Sequence, residues 1–427
     1  MTMNILWMCN IKLNLIKTEE ERRVTSFFGG GWMEALARMI IDENQDRLVI
    51  CYPQFSDKEI EHGFDGNLSH WGIKLQKAQL DRCKYNHGHV IKQFQNIIEK
   101  ENIDIIHIHG SEYPYSYDLF QAAKKCGLED RVVLSIQGLI EPYAKAFCNT
   151  LPQRLFRRAT LSEMKNSCSL RSIQKSFYKR AEYEAKLLCE IQNVMGRTDW
   201  DYAYSFFANP NVNYFKCNET LRSSFYDGRW SIEKCERHSI IISQASSPLK
   251  GFHMFLETAN ELRRLYPDLK VYVTGTDIFS AGFVRGNTYG LYIKKLIKKM
   301  HLDTHIEFVG TVDENEMKEY MLRANVFVSP SAIENSPNSL GEAMLLGLPC
   351  VCSDVGGVKS MMQHGSEGYV YPFADPVLAA YYIMRIFEDD QLANGLSKMA
   401  KNRAMRTHNG SDNYLALVST YKKIIMR

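Results

Sequence analysis

The feature that most constrains this chain is an alternation, run through twice, of short β-branched apolar runs with longer helical stretches. The first series comprises Asn4 to Cys9, Arg47 to Cys51, Ile103 to His109 and Arg131 to Ile136. Each run is short and bounded by polar residues or Gly, as strands buried in a parallel sheet are. A second series begins at Ser239-Ile240-Ile241-Ile242-Ser243 and continues through Lys270 to Thr274, His305 to Val309, Val326 to Ser329 and Cys350 to Cys352. Between the two, the polar stretch Tyr226 to Arg237 breaks the periodicity and reads as a linker. A chain of 427 residues exceeds what one hydrophobic core ordinarily supports. The expectation is therefore α/β: two doubly wound, Rossmann-like domains facing each other across a cleft, with ligands outside the carboxyl ends of the strands.

Composition narrows the function classes. Hydrophobic residues at 45% and charged ones at 24% are the balance of an ordinary globular protein. A formal charge of +3 does not by itself mark a nucleic-acid binder, and none is expected as a partner. The 11 cysteines lack metal-ligand spacing except at Cys350 and Cys352, where a single intervening residue puts both on one face of a strand; core packing and a reducing compartment are the simpler reading. No segment approaches the ~18 to 20 apolar residues of a membrane span. The run Ile5 to Cys9 has no positive region before it, so no secretory signal is predicted. Between Leu151 and Glu190 stand Arg154, Arg157, Arg158, Lys165, Arg171, Lys175, Lys179 and Arg180. That cluster reads as a solvated helix face, with a peripheral contact to an anionic membrane as the alternative.

Chemistry concentrates at the ends of the runs. After Val326 to Ser329 comes a loop with Glu334 and then, seven residues between them, Glu342 in the first turn of the next predicted helix. A helix N-terminus binds phosphate through its unpaired N–H groups and positive end. Ser339 and Glu342 also fit an S-x-x-E capping box, which needs no ligand. Glu334, in a loop with Asn335 and Ser336, has no such explanation. In the loop after Ser239 to Ser243, Ser247-Pro248 reads as a helix start carrying Lys250-Gly251, and a cation in a first turn opposes the dipole unless an anion lies nearby. In the first series His107 and His109 alternate onto one strand face, His109 nearest the carboxyl end. Gly29-Gly30-Gly31 lacks G-x-G-x-x-G spacing, so a nicotinamide or flavin cofactor is not supported.

These residues resemble the fourth sequence family of glycosyltransferases (glycosyl transferases group 1), retaining enzymes of the GT-B fold, in their bacterial surface-polysaccharide type. The resemblance runs from Asn4 to the last helix and is strongest from Ser239 to Phe373, where Ser353 to Gly357 and His364 to Tyr369 also fit. It implies that Glu334 holds the donor sugar and Glu342 the nucleotide ribose. Lys250 and the backbone of Asn338, Ser339 and Leu340 would meet the diphosphate, which Gly30 and Gly31 approach from the first domain. His109 would act at the acceptor side, with Gln137 and Arg197 as further contacts there. The sequence departs from the family at Ala245, where an Arg is expected, and at Gln137, where the family has His. Asp199 and Asp201, one residue apart, are discounted as metal ligands because the resemblance implies a metal-independent enzyme. No cofactor is expected beyond a nucleotide-diphosphate sugar as co-substrate.

The implied boundaries are 1–230 for the acceptor-side domain, 231–410 for the nucleotide-sugar domain, and 411–427 for a helix crossing back to the first. The implied activity is retaining transfer to a saccharide or lipid-linked saccharide acceptor, in the cytoplasm or peripherally on the inner face of the cell membrane. A nucleotide-sugar epimerase of the same fold, or a non-catalytic nucleotide-sugar-binding subunit, would satisfy many of the same residues.

Overall fold

The computed structural model describes residues 2–18, 21, 31–43, 46–55, 59–80, 82–276 and 287–427. They form two compact units: Met1–Glu141 with Ser176–Thr220 and His408–Arg427, and Pro142–Lys175 with Leu221–Thr407.

The first unit is built on β1 (Asn4–Met8), β2 (Arg47–Gln54), β3 (His62–Asp65), β4 (Leu68–Lys74), β5 (Ile105–His109), β6 (Val132–Ser135), β7 (Asn193–Gly196) and β8 (Asn213–Lys216). Their order in the sheet is β3-β4-β2-β1-β5-β6-β7-β8. All neighbours pair in parallel except β3 with β4. The central strands carry apolar side chains on both faces because both faces are covered. One face packs Leu6, Val49, Ile106 and Leu134 against Phe94 and Leu119. The other packs Ile5, Trp7, Leu48 and Ile105 against Tyr414, Leu417 and Tyr421. Those last three belong to the helix Gly410–Ile425, so the end of the chain is a core element of the unit that contains its beginning. The Trp7 indole donates to the Tyr421 hydroxyl at 2.9 Å, and that hydroxyl lies 2.6 Å from His107 Nδ1. His107 Nε2 reaches Ser135 Oγ at 2.7 Å. A polar chain thus threads the apolar layer with its members satisfied, the condition under which buried polar groups are tolerated.

The second unit contains β9 (Ser239–Ile242), β10 (Lys270–Thr274), β11 (Ile306–Gly310), β12 (Val326–Ser329), β13 (Cys350–Ser353) and β14 (Tyr369–Tyr371). They are ordered β11-β10-β9-β12-β13-β14 and paired in parallel throughout. Cys350 and Cys352 are buried in β13. In each sheet the chain first builds outward on one side of its first strand and then returns to the other. The reversal falls between β1 and β5 and between β9 and β12, and loops leaving adjacent strands on opposite sides at such a point open a crevice.

Two segments sit differently from the sequence-based boundaries. Pro142–Lys175 clusters with the second unit rather than the first. Tyr226 to Arg237 is part of the second unit as well: Trp230 is buried, its indole donating to the Ala324 carbonyl at 2.7 Å, and the chain changes unit earlier, between Thr220 and Leu221. One buried aromatic anchors an otherwise polar segment, and no periodicity signals that.

Candidate functional site

In the second unit the crevice between β9 and β12 is shaped by two loops bound to each other. After β9, the Ser247 hydroxyl accepts from Leu249 N–H and opens a single 3₁₀ turn, Pro248–Lys250. Gly251 then takes φ +64°, and a Cβ there would fall 1.7 Å from the Pro330 carbonyl oxygen. Only Gly satisfies both the left-handed backbone and that approach. Ala332 N–H donates to the Leu249 carbonyl at 2.7 Å, fixing the second loop against the first. As a result Lys250 Nζ donates to Glu334 Oε1 at 2.6 Å, and the Ser331 hydroxyl donates to the same oxygen at 2.8 Å. From the far side, Gly357 N–H donates to the Glu334 carbonyl at 3.0 Å. Gly356, at φ +52°, approaches that carbonyl so closely that a Cβ would stand 1.9 Å from its oxygen. Glu334 is thus held by backbone on two sides and by a cation at its tip.

The helix following this loop runs Asn338–Leu346. Pro337, not Ser339, takes the position before its first turn, and no side chain caps it, so the capping-box explanation of Glu342 does not hold. Glu342 is buried, and Arg222 grips it with both forks, Nε to Oε1 and Nη2 to Oε2, each at 2.7 Å. Burial pushes the Glu342 carboxyl pKa above the ordinary value, and Arg222 opposes that push. The Arg222 guanidinium lies over the Phe225 ring at 4.8 Å. Leu340 is fully buried, and its N–H donates to the Pro337 carbonyl at 3.0 Å. Within the first turn, Asn338 and Ser339 are the more accessible of the three residues expected to meet phosphate.

In the first unit His109 ends β5, buried, its ring 4.5 Å from Trp7 and 3.8 Å from His107. Burial, then the His107 and Arg197 charges, hold its pKa well below the usual histidine value, so the ring is neutral at pH 7. Arg197 is half-buried, its side chain 8% exposed, and pairs with Glu219 at 2.7 Å. Its Nη2 also donates to Gln137 Oε1 at 3.2 Å. Asp201 serves structure: it forms a capping box with Thr198 and accepts from the Arg197 N–H and the Tyr214 hydroxyl. Gly31 opens the helix Gly31–Glu43, while Gly29 and Gly30 lie outside the described residues.

Several residues at the strand ends escaped the sequence reading. The Ser111 hydroxyl donates to Glu184 Oε1 at 2.6 Å, and Ile140 N–H donates to Glu184 Oε2 at 2.8 Å. Asn10 donates to Glu112 at 3.1 Å. Burial, with the neighbouring Glu112 carboxylate, pushes Glu184 up to about 8, against the opposing hydrogen bonds. A Ser-Glu directly after the His109-Gly110 strand end was a legible signal for Glu112; Glu184 and Arg222 offered none.

Against this geometry, residues 229–403 match the family described as Glycosyl transferases group 1. The N-acetyl-alpha-D-glucosaminyl L-malate synthase of Bacillus anthracis is 28% identical over 109 residues, covering 26% of this chain and 28% of that protein. The phosphatidyl-myo-inositol mannosyltransferase of Mycolicibacterium smegmatis is 27% identical over 171 residues, 40% of this chain and 41% of that one. The chain spans about a quarter to two fifths of the length of these curated relatives. Among solved structures, sucrose-phosphate synthase from Thermosynechococcus elongatus has a TM-score of 0.69 at 15% identity over 99% of both chains. Anabaena HepE in complex with UDP and glucose has a TM-score of 0.66 at 14% identity, over 98% of this chain and 99% of that one. At such identities the likeness carries the fold. Residues 229–403 thus resemble the glycosyl transferases group 1 family, and the fold of the chain is GT-B.

Proposed function

We propose that this chain is a retaining glycosyltransferase that moves a sugar from a nucleoside diphosphate to a hydroxyl acceptor. The observation that carries the reading is the Lys250–Glu334 pair at 2.6 Å, in the crevice between β9 and β12 and ahead of a helix with no side-chain cap. A cation and uncapped N–H groups suit a diphosphate, while a carboxylate beside them suits sugar hydroxyls. The acceptor oxygen attacks the anomeric carbon on the face the nucleotide leaves, through an oxocarbenium-like state. The carbon–oxygen bond to phosphate breaks with its electrons going to the diphosphate, and the acceptor proton passes to the departing phosphate oxygen. Lys250, Asn338 and Ser339 stabilise the charge that grows there, at about 3 to 4 kcal/mol per donor in comparable sites. Glu342, oriented by Arg222, receives the ribose hydroxyls. His109, neutral and wedged against Trp7, orients the acceptor side together with Gln137 and the Arg197 that holds it.

The acceptor class is a saccharide or lipid-linked saccharide, the setting bacterial surface-glycan synthesis in the cytoplasm. The test is donor turnover over a panel of nucleotide sugars, with and without saccharide acceptors, and the anomeric configuration of the product read by NMR. UDP-sugars head the panel because the HepE neighbour is described with UDP and with UDP-glucose. Turnover without acceptor, yielding an isomerised sugar, establishes the epimerase instead. A competing reading, a non-catalytic subunit, draws on Ala245, a buried methyl where a phosphate-directed Arg was expected; binding without turnover of any donor would favour it. Transfer is also expected to persist in excess chelator, since Lys250 and the helix terminus carry the phosphate charge. Loss on chelation with recovery in magnesium or manganese overturns that part.

A further inference from the structure

The segment of the second unit between Thr150 and Lys175 contains six cations, Arg154, Arg157, Arg158, Lys165, Arg171 and Lys175, and one carboxylate, Glu163. All six cations are exposed and Glu163 is buried. Glu163 turns inward from the short helix Leu161–Asn166, accepting from Thr160 N–H at 2.7 Å and from Thr288 N–H and hydroxyl at 2.8 and 2.6 Å. With its polar side spent inward, this helix presents Leu161 and Met164 outward, 64% and 59% exposed, and Lys165 beside them. Positions i, i+3 and i+4 share a face. A helix lying on a water-facing surface has the opposite arrangement, apolar side in and charge out. The basic field extends onto the helix Thr288–Lys299, where Tyr292 feels the charge of Arg154. Lys295 and Lys299, three and seven positions on, share the Tyr292 face and are exposed. Glu257, which also acts on Tyr292, is the acid that borders the field there.

We propose that this surface docks the second unit onto an anionic lipid bilayer. Leu161 and Met164 enter the boundary between headgroups and acyl chains, while Arg154, Arg157, Arg158, Lys165 and Lys295 meet headgroup phosphates. The occupant follows from the pairing of charge with exposed apolar side chains: a soluble polyanion matches the cations and leaves Leu161 and Met164 in water, whereas a bilayer surface takes both. The inference stands apart from the transfer reading and does not depend on it.

The experiment is co-sedimentation of the full chain with mixed phosphatidylglycerol and phosphatidylcholine vesicles and with phosphatidylcholine alone. Binding is expected to the mixed vesicles only and to weaken as salt shortens the screening length from about 10 Å at 0.1 M to about 3 Å at 1 M. The triple variant Arg157→Gln, Arg158→Gln, Lys165→Gln should bind roughly 100-fold more weakly, at about fivefold per cation near the surface. Leu161→Ser with Met164→Ser should lose roughly tenfold with the salt dependence unchanged. All these side chains are exposed, and an unchanged Tm and circular-dichroism spectrum check that the variants are folded. Equal binding to both vesicle types, or serine variants that bind as the parent does, overturns the proposal. So does retention on heparin that competes fully with the vesicles and ignores Leu161 and Met164.

Discussion

Glu334 and Glu342 look alike in the sequence, and the structure separates them. Glu334 meets a lysine that an incoming diphosphate would attract, so the proposed donor replaces that pairing with contacts of its own. Glu334→Gln keeps the size and loses the charge. It should cut transfer by about 100-fold or more while nucleoside-diphosphate affinity stays within about threefold; an equal fall in both, measured by calorimetry and initial rates, removes the sugar role. Glu342 depends on Arg222. Without that guanidinium the buried carboxylate is uncompensated, a cost of about 3 to 5 kcal/mol, or it takes up a proton. In Arg222→Gln the raised Glu342 pKa is no longer countered, and the carboxylate is the form that accepts ribose hydroxyls. Affinity for nucleoside diphosphate should therefore improve with rising pH more steeply in the variant than in the parent. A variant no steeper than the parent shows that Arg222 serves packing alone. The two glutamates were legible because a strand, a loop and a helix start lie in one stretch of sequence. Arg222 was not, because 120 positions separate it from Glu342 and nothing local requires an ion pair.

At the scale of elements, the loops after β9, β12 and β13 form one assembly whose tolerances are set by backbone. Gly251→Ala drives a methyl into the Pro330 carbonyl at a left-handed residue, and neither backbone can yield without moving Lys250 or Glu334. We expect a loss of about 2 to 4 kcal/mol in stability together with lost donor affinity. A variant with parental Tm and parental donor binding contradicts this account of the crevice. In the first unit the loops after β5 and β6 meet on Glu184, whose proton is retained up to about pH 8 against an ordinary value of 4.5. A carboxyl whose pKa is raised by folding adds stability that is complete below the unfolded value and fades as pH rises through the folded one. Tm should thus fall, by roughly 5 °C, between about pH 5 and about pH 8, and Glu184→Gln should flatten that slope. A parental slope in the variant would assign the dependence to other groups. The nine sequence-predicted strands exist because buried parallel strands announce themselves by apolar runs. β3, β4, β7, β8 and β14 passed unnoticed: β3 and β8 are short edge strands with polar residues, β7 and β14 are buried but only 4 and 3 residues long, and Ser69 and His70 interrupt the apolar run of β4.

For the whole molecule, the sequence carried the two-sheet organisation but not the path of the chain between the sheets. Pro142–Lys175 leaves the first unit's numbering for the second because its anchors are tertiary: Glu163 on Thr288, and Thr150 with the Asn149 carbonyl around His253. Only the return of the last helix to the first unit followed a pattern the resemblance supplied. That return has a consequence for how the protein comes into being. Synthesis proceeds from the amino end, and domains ordinarily fold as they emerge, the earlier one first. Here Trp7 and His107 wait for Tyr421, 414 and 314 positions downstream, and one apolar layer of the sheet stays open until residues 408–427 arrive. The second unit, Pro142–Lys175 with Leu221–Thr407, has all of its strands before that point. The order of completion along the sequence is therefore inverted: a fragment ending at Thr407 contains every residue of the second unit, while its first unit lacks one apolar layer and leaves the Trp7 face bare.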